Sequence, residues 1–148
     1  MKKVWYENEN EIVCSIEEIS KSLENPGEHF LEIVKLMPGL VGVELVEQGV
    51  GFVIIKTNEG IMKRTNIKKQ LNSTQIVIEF DELYQARKMI TTKSHFLHEF
   101  KVSDIGVKHH IIISNMEAPG FLGFFYRNLG KSSIGKAFLN AYRTYFRQ

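Results

Sequence analysis

From Val41 to Ser114 the chain reads as six apolar-rich segments in succession: "VGVELVEQ", "GFVIIKT", "IMKRTNIKKQ", "TQIVIEF", "KMITTKSHFLHEFKV" and "GVKHHIIIS". Their β-branched and aromatic content marks them as strands. What stands between them sets the topology. The separators include "QGVG", "NEG", "LNS" and "SDIG", which form turns and are too short for a crossover helix. Strands joined this way run antiparallel, because a parallel neighbour needs a connection of a dozen residues or more. The pattern therefore predicts an antiparallel meander with one face to be covered by other elements.

The last segment of the chain offers the cover. In "APGFLGFFYRNLGKSSIGKAFLNAYRTYF", Ile134, Phe138, Ala141, Tyr142 and Tyr145 fall on one helical stripe. Ser132 or Ser133 is a candidate N-cap. Gly130 either ends a shorter helical piece before it or softens one long helix. Ahead of the meander, "KVWYENENEIVC" has strand formers at both ends and polar residues between, the pattern of an interrupted or bulged strand. "SIEE" follows as a capping box, with Ser15 at the N-cap and Glu18 three residues on. A short helix should reach about Leu23 and stop at "NPG", where Pro26 disfavours helical geometry at Asn25. "EHFLEIVKLM" then spaces Phe30, Ile33, Val34 and Met37 for a second helix, ended by "PGL". The order is strand, two short helices, six strands and a long helix, an α+β arrangement. At 148 residues, without internal repeats or linkers, one domain over 1–148 is expected.

Several function classes lose support here. A formal net charge of +2 is too weak to point to nucleic acid. The lone Cys14 permits no internal disulfide and no thiolate metal pair, and its place at a strand end suggests a small buried hydrophobe. After "MKK" come acidic and amide residues where a signal peptide needs an apolar run, and no stretch approaches a membrane span. A cytoplasmic protein without an integral membrane segment is expected, as monomer or homodimer.

Four of the five histidines lie in "SHFLHEFKVSDIGVKHHIIISN". With "SDIG" as the turn, Val102 opposes Val107, Phe100 opposes His109, Glu99 opposes His110 and His98 opposes Ile111. Alternation then places Phe96, His98, Phe100, Val102, Val107, His109, Ile111 and Ile113 on one face. The other face carries His95, Leu97, Glu99, Lys101, Lys108, His110, Ile112 and Ser114, and reads as the solvent side. His98 and His109 thus point inward as diagonal neighbours, close enough to share a partner. A buried imidazole without partners costs a few kcal/mol, so something answers these rings. Protein groups or water would make them core histidines, and a ligand would make them a polar spot in a cavity. Two histidines fall short of the three or four protein ligands zinc usually takes, so no metal is expected.

Other features have bland readings beside sharper ones. Lys63, Arg64, Lys68 and Lys69 in "IMKRTNIKKQ" read as a solvated strand whose charges deter edge pairing, against a patch for phosphate or anionic lipid. "PGFLGFFYRNLG" reads as core packing at the start of the last helix, against an apolar gate meeting ligand or a membrane transiently. In "EFDE", alternation turns Glu79 and Asp81 outward, and only Glu82 shares the inward parity of Phe80, at the strand's end. No nucleophile elbow, phosphate loop or "HExxH" is present, so catalytic residues remain unknown.

This order of elements resembles the helix-grip fold of the START-like superfamily, also called the Bet v 1-like or polyketide cyclase/dehydrase-like (SRPBCC) superfamily. The resemblance rests on "VGVELVEQGVGFVIIKTNEG", the tandem hairpins through "HFLHEFKVSDIGVKHHIII", and the closing "APGFLGFFYRNLGKSSIGKAFLNAYRTYF". It implies a curved seven-stranded antiparallel sheet around a long C-terminal helix, with a cavity between them for a lipid-, polyketide- or quinone-like ligand. Mapped onto this chain, the implied lining comprises Phe80, Phe96, His98, Phe100, His109, Ile111, Phe138 and Tyr142. No cofactor is implied. Some relatives of this kind are enzymes of cyclase, dehydratase or hydrolase type, for which His98 and His109 would serve as acid and base. Others are partners of a chaperone, so an interaction module is the third expectation.

Overall fold

The computed structural model describes residues 3–86, 90–118 and 131–147. β1 (Val4–Ile12) leads into α1 (Ile16–Ser22) and α2 (Pro26–Lys35). β2 (Glu44–Gly49), β3 (Phe52–Lys56), β4 (Gly60–Leu71), β5 (Gln75–Ala86), β6 (Ile90–Ser103) and β7 (Gly106–Glu117) follow, and α3 (Lys131–Arg147) closes the chain. The strands form one sheet in the order β1-β7-β6-β5-β4-β3-β2. Every neighbouring pair is antiparallel, so the meander is intact and β1 is added beside β7. Among the described residues, no helix is long and apolar enough to cross a membrane.

Local chemistry sets the short helices. The Ser15 hydroxyl accepts from the Glu18 amide at 3.2 Å and starts α1. Asn25 does the same for α2, accepting from the Glu28 amide at 3.2 Å. Pro26 occupies the first turn of α2, so this helix begins two residues before the apolar spacing implied. A proline that cannot end a helix gracefully opens one here, because its missing N–H would be unpaired at that position anyway.

Both α2 and α3 press their apolar stripes against the inner face of the sheet. Phe30, Ile33 and Val34 from α2, and Phe138, Ala141 and Tyr142 from α3, are buried with Ile76, Ile78, Phe80, Phe96, Phe100, Ile111 and Ile113 from the strands. Each large side chain buried this way contributes about 1.5–3 kcal/mol.

The β6–β7 hairpin has the register read from the sequence, with Val102 opposite Val107 and His98 opposite Ile111. β1 is bulged between Val4 and Tyr6, in keeping with its interrupted pattern. Other expectations need correction. Val102 has the inward parity but is 53% exposed, since the hairpin tip runs beyond the helices that cover the face. Ser114, on the outward parity, is buried beside the register shift between Lys93 and His95. Cys14 lies two residues past the end of β1 and is only half-buried. Burial still pushes its thiol up to about 11, with Glu18 adding to the effect. Ser132 and Ser133 lie inside α3 rather than capping it. Gly130 and the "PGFLGFFYRNLG" segment lie outside the described residues. The largest difference is in β5, which continues through Glu82 and Tyr84 to Ala86 instead of ending near Phe80.

Candidate ligand-binding cleft

The extension of β5 creates a row of polar side chains across the inner face. Arg64 on β4 is the register partner of Glu82 on β5, and Glu82 is the partner of Ser94 on β6. All three are buried, Arg64 with only 1% of its surface exposed. Arg64 Nε donates to Glu82 Oε2 at 3.2 Å. Its Nη2 lies 3.1 Å from the same oxygen but out of line for a hydrogen bond. Both contacts therefore use Oε2.

Four aromatic rings surround the guanidinium. Its carbon stands 4.7 Å from the ring centres of Phe30 and Phe80, 5.7 Å from Phe138 and 6.0 Å from Phe96. Such contacts are worth about 2 kcal/mol when desolvated, and here they offset part of the cost of burying the charge. Burial pushes the Glu82 carboxyl above the usual carboxylate range, against the opposing charge and hydrogen bond of Arg64.

Glu82 and Ser94 also line a cleft of about 350 Å³ between the sheet and the first half of α3. Met62, Tyr84, Phe96 and Met116 form its sheet side, and Ile134, Ala137 and Phe138 its helix side. Trp5, Met37 and Leu40 also line it. The walls are apolar and rich in methionine, which adapts its shape readily. A cleft of this size, with few polar groups among many apolar ones, has the character of a small-molecule site.

The other half of α3 meets a different surface. His98 Nδ1 and His109 Nε2 are hydrogen-bonded to each other at 2.8 Å. The rings lie between Phe100 and Tyr142, with His109 stacked on Phe100 at 4.5 Å between centres. Tyr142 carries its hydroxyl to a third buried imidazole, 2.9 Å from His29 Nε2, and His29 Nδ1 lies 2.8 Å from the Ser22 hydroxyl. Burial pushes all three imidazoles down, His29 and His109 to about 3 and His98 well below its ordinary value. Neighbouring basic groups add to this: Arg64 and Lys69 near His29, His109, Arg64 and His29 near His98, and His110 and His29 near His109. The three rings are neutral at physiological pH, so they are not poised for proton transfer near neutrality. His109 Nδ1 has no partner among the described residues.

The eight residues expected to line a cavity therefore divide. Phe96 and Phe138 line the cleft. Phe80, His98, Phe100, His109, Ile111 and Tyr142 are buried in the adjoining core, where ring contacts and the hydrogen bond between the histidines join all but Ile111. Sequence reasoning assigned Arg64 to a solvated strand, and the structure buries it. It placed Glu82 at a strand's end, whereas Glu82 is within β5 and answers Arg64. The missed signal is that Arg64 has the parity of Met62; the sequence shows the inward parity of Glu82 with Phe80, but the strand reads as ending there. His29, the fifth histidine, lies on the apolar stripe of α2 beside Phe30 and Ile33, and it was passed over.

No protein-family model matches this chain, and no curated protein matches it by sequence. Solved structures do match. A hypothetical protein from Helicobacter pylori superposes with a TM-score of 0.63 at 10% identity, over 95% of this chain and 86% of that one. A STAR-related lipid transfer protein from Xanthomonas axonopodis gives 0.61 at 12% identity, over 96% and 85%. The Zhui aromatase/cyclase from a Streptomyces species gives 0.53 at 14% identity, over 98% and 93%. The chain has the START-like helix-grip fold, with a seven-stranded antiparallel sheet and a C-terminal helix.

Proposed function

We propose that this protein binds a small hydrophobic or amphipathic molecule in the cleft between the sheet and α3. The observation that carries this reading is a buried, charge-paired carboxylate, Glu82, lining a cleft whose walls are mostly apolar. The names of two structural neighbours, a lipid transfer protein and an aromatase/cyclase, support ligands of this kind. Phe96 and Phe138 meet the ligand directly, while Phe80, His98, Phe100, His109, Ile111 and Tyr142 form the packed bed behind it. Burying about 200 Å² of apolar ligand surface is worth roughly 5 kcal/mol before the costs of association.

The test uses the neutral fluorophore N-phenylnaphthylamine. Saturable enhancement is expected with the native protein, and its loss in Ala137→Trp, whose indole occupies the cleft while the circular dichroism spectrum and unfolding transition persist. Absence of saturable binding by the native chain, or unchanged binding by a folded Ala137→Trp, would overturn the reading.

A further inference from the structure

The row Arg64–Glu82–Ser94 carries information about the ligand's polar end. Both Arg64 contacts fall on Glu82 Oε2, so Oε1 has no partner among the described residues, although the side chain lines the cleft. Ser94 faces Glu82 directly across the β5–β6 ladder and also lines the cleft, and its hydroxyl makes no hydrogen bond among the described residues. Directly opposed inward side chains have Cβ atoms about 4.5–5.5 Å apart. One small group seated between them meets both an acceptor and a hydroxyl.

We propose that Glu82 and Ser94 read the polar end of the ligand, and that this end is a neutral hydroxyl, alcohol or phenol, on an apolar body. The inference rests on the binding function proposed above and narrows its ligand class. A hydroxyl donates its proton to Glu82 Oε1 and accepts from the Ser94 hydroxyl, which satisfies both groups with one ligand atom. Charged ends fit less well. A carboxylate meets the negative charge of Glu82, while the guanidinium that would attract it does not line the cleft, although the nearby rings of Phe96 and Phe138 do. An ammonium is drawn to Glu82 but repelled by the Arg64 charge that already balances it. An ether accepts from Ser94 and leaves Oε1 desolvated without a donor, the costlier failure for a buried charged acceptor.

The experiment is competition of decanol, decyl methyl ether, decanoate and decylammonium against N-phenylnaphthylamine at neutral pH. Decanol should compete at least tenfold more strongly than the ether and than either ion. The control is the double variant Arg64→Met/Glu82→Met, in which both buried charges are replaced together by apolar side chains so that none is left unpaired. Measured against the double variant's own fluorophore affinity, the preference for decanol over the ether should collapse to within about twofold of unity. Ser94→Ala, with each competitor referenced to the variant's own fluorophore affinity, should reduce that preference several-fold.

Fluorophore binding with no preference among the four competitors, or with decanoate preferred, overturns the hydroxyl assignment and leaves the binding function standing. A preference for decanol that survives intact in the double variant also overturns it. Failure of the fluorophore to bind the native protein removes the binding function and this inference with it.

Discussion

One turn of α3 separates Phe138, which walls the cleft, from Tyr142, which seals the histidine cluster. Both ends of this helix cover polar side chains on the same sheet face. At the histidine end nearly every polar atom is spent on another protein group: His98 on His109, His29 on Tyr142 and Ser22. At the cleft end, Arg64 donates to Glu82 through Nε alone, and Glu82 keeps an oxygen in reserve beside a Ser94 hydroxyl that also lacks a protein partner among the described residues. A buried ionisable group therefore does not by itself identify a site. An uncommitted atom facing open volume does.

The comparison is broken most forcefully with acid. The three buried imidazoles are neutral in the fold, with native values depressed to about 3 for His29 and His109 and well below 6.5 for His98. Unfolded histidine takes up a proton near its ordinary value of 6.5. As pH falls below that value the unfolded chain binds protons the native chain refuses, so stability is full above it and declines toward pH 3. Each imidazole contributes about 1.4 kcal/mol per pH unit, and the three together about 4. Glu82 works in the opposite sense, because a raised native carboxyl value makes protonation relieve a burial cost. The groups facing the imidazoles, Arg64, Lys69, His110 and Tyr142, offer no carboxylate to reverse the sign. Chemical denaturation followed by circular dichroism from pH 7.5 downward should show unfolding by about pH 5, given typical stabilities of about 5–15 kcal/mol. The double variant His98→Phe/His109→Leu should cut the pH slope to about one third. An unchanged slope would mean that those two rings are not buried neutral.

Next in size is the ion pair. Arg64→Met strands a buried carboxylate and should cost about 3–5 kcal/mol, whereas Arg64→Met/Glu82→Met should return close to native stability or exceed it. Equal losses in the single and double variants would show that the aromatic cage around the guanidinium, rather than the pairing of charges, holds this end together. The corresponding break at the histidine end is smaller. His98→Leu leaves His109 Nε2 without its partner, a neutral group rather than a charge, and should cost about 1–3 kcal/mol. Urea midpoints for the three variants, measured side by side at pH 7.5, order the two ends directly.

The two ends also differ in how far the sequence exposed them. The histidine end lies in a hairpin whose turn, "SDIG", fixes the register, and simple alternation then sends His98 and His109 inward. That reasoning needs only local information. The cleft end depends on Arg64 and Glu82, two charges eighteen positions apart that are tolerable inside only because they meet. Read singly, Arg64 looks like a surface residue, and Glu82, though of inward parity, looks like the end of its apolar run. Hence β5 appeared to stop by Glu82, and Arg64 appeared to belong with Lys63 and Lys68. The architecture was legible because short turns force antiparallel strands. The polar row was not, because a buried ion pair is a tertiary fact with no local periodicity. Parity is the trace it leaves: Met62 with Arg64, and Phe80 with Glu82, share a face at a spacing of two.

The finest test removes one hydroxyl from each end. Tyr142→Phe deletes the group bonded to His29 Nε2 and leaves that nitrogen sealed under the aromatic rings of α3. The loss should be about 1–2 kcal/mol, made up of one net hydrogen bond and the desolvated nitrogen. Ser94→Ala deletes a hydroxyl that bonds no described residue and lines the cleft, so native stability should change by less than about 0.5 kcal/mol. The two substitutions should then exchange ranks when the readout is changed. Competition by decanol against N-phenylnaphthylamine should weaken several-fold in Ser94→Ala and hold within twofold in Tyr142→Phe. A Ser94→Ala loss as large as that of Tyr142→Phe would place the Ser94 hydroxyl among the committed groups, and the two ends of α3 would then differ in packing alone.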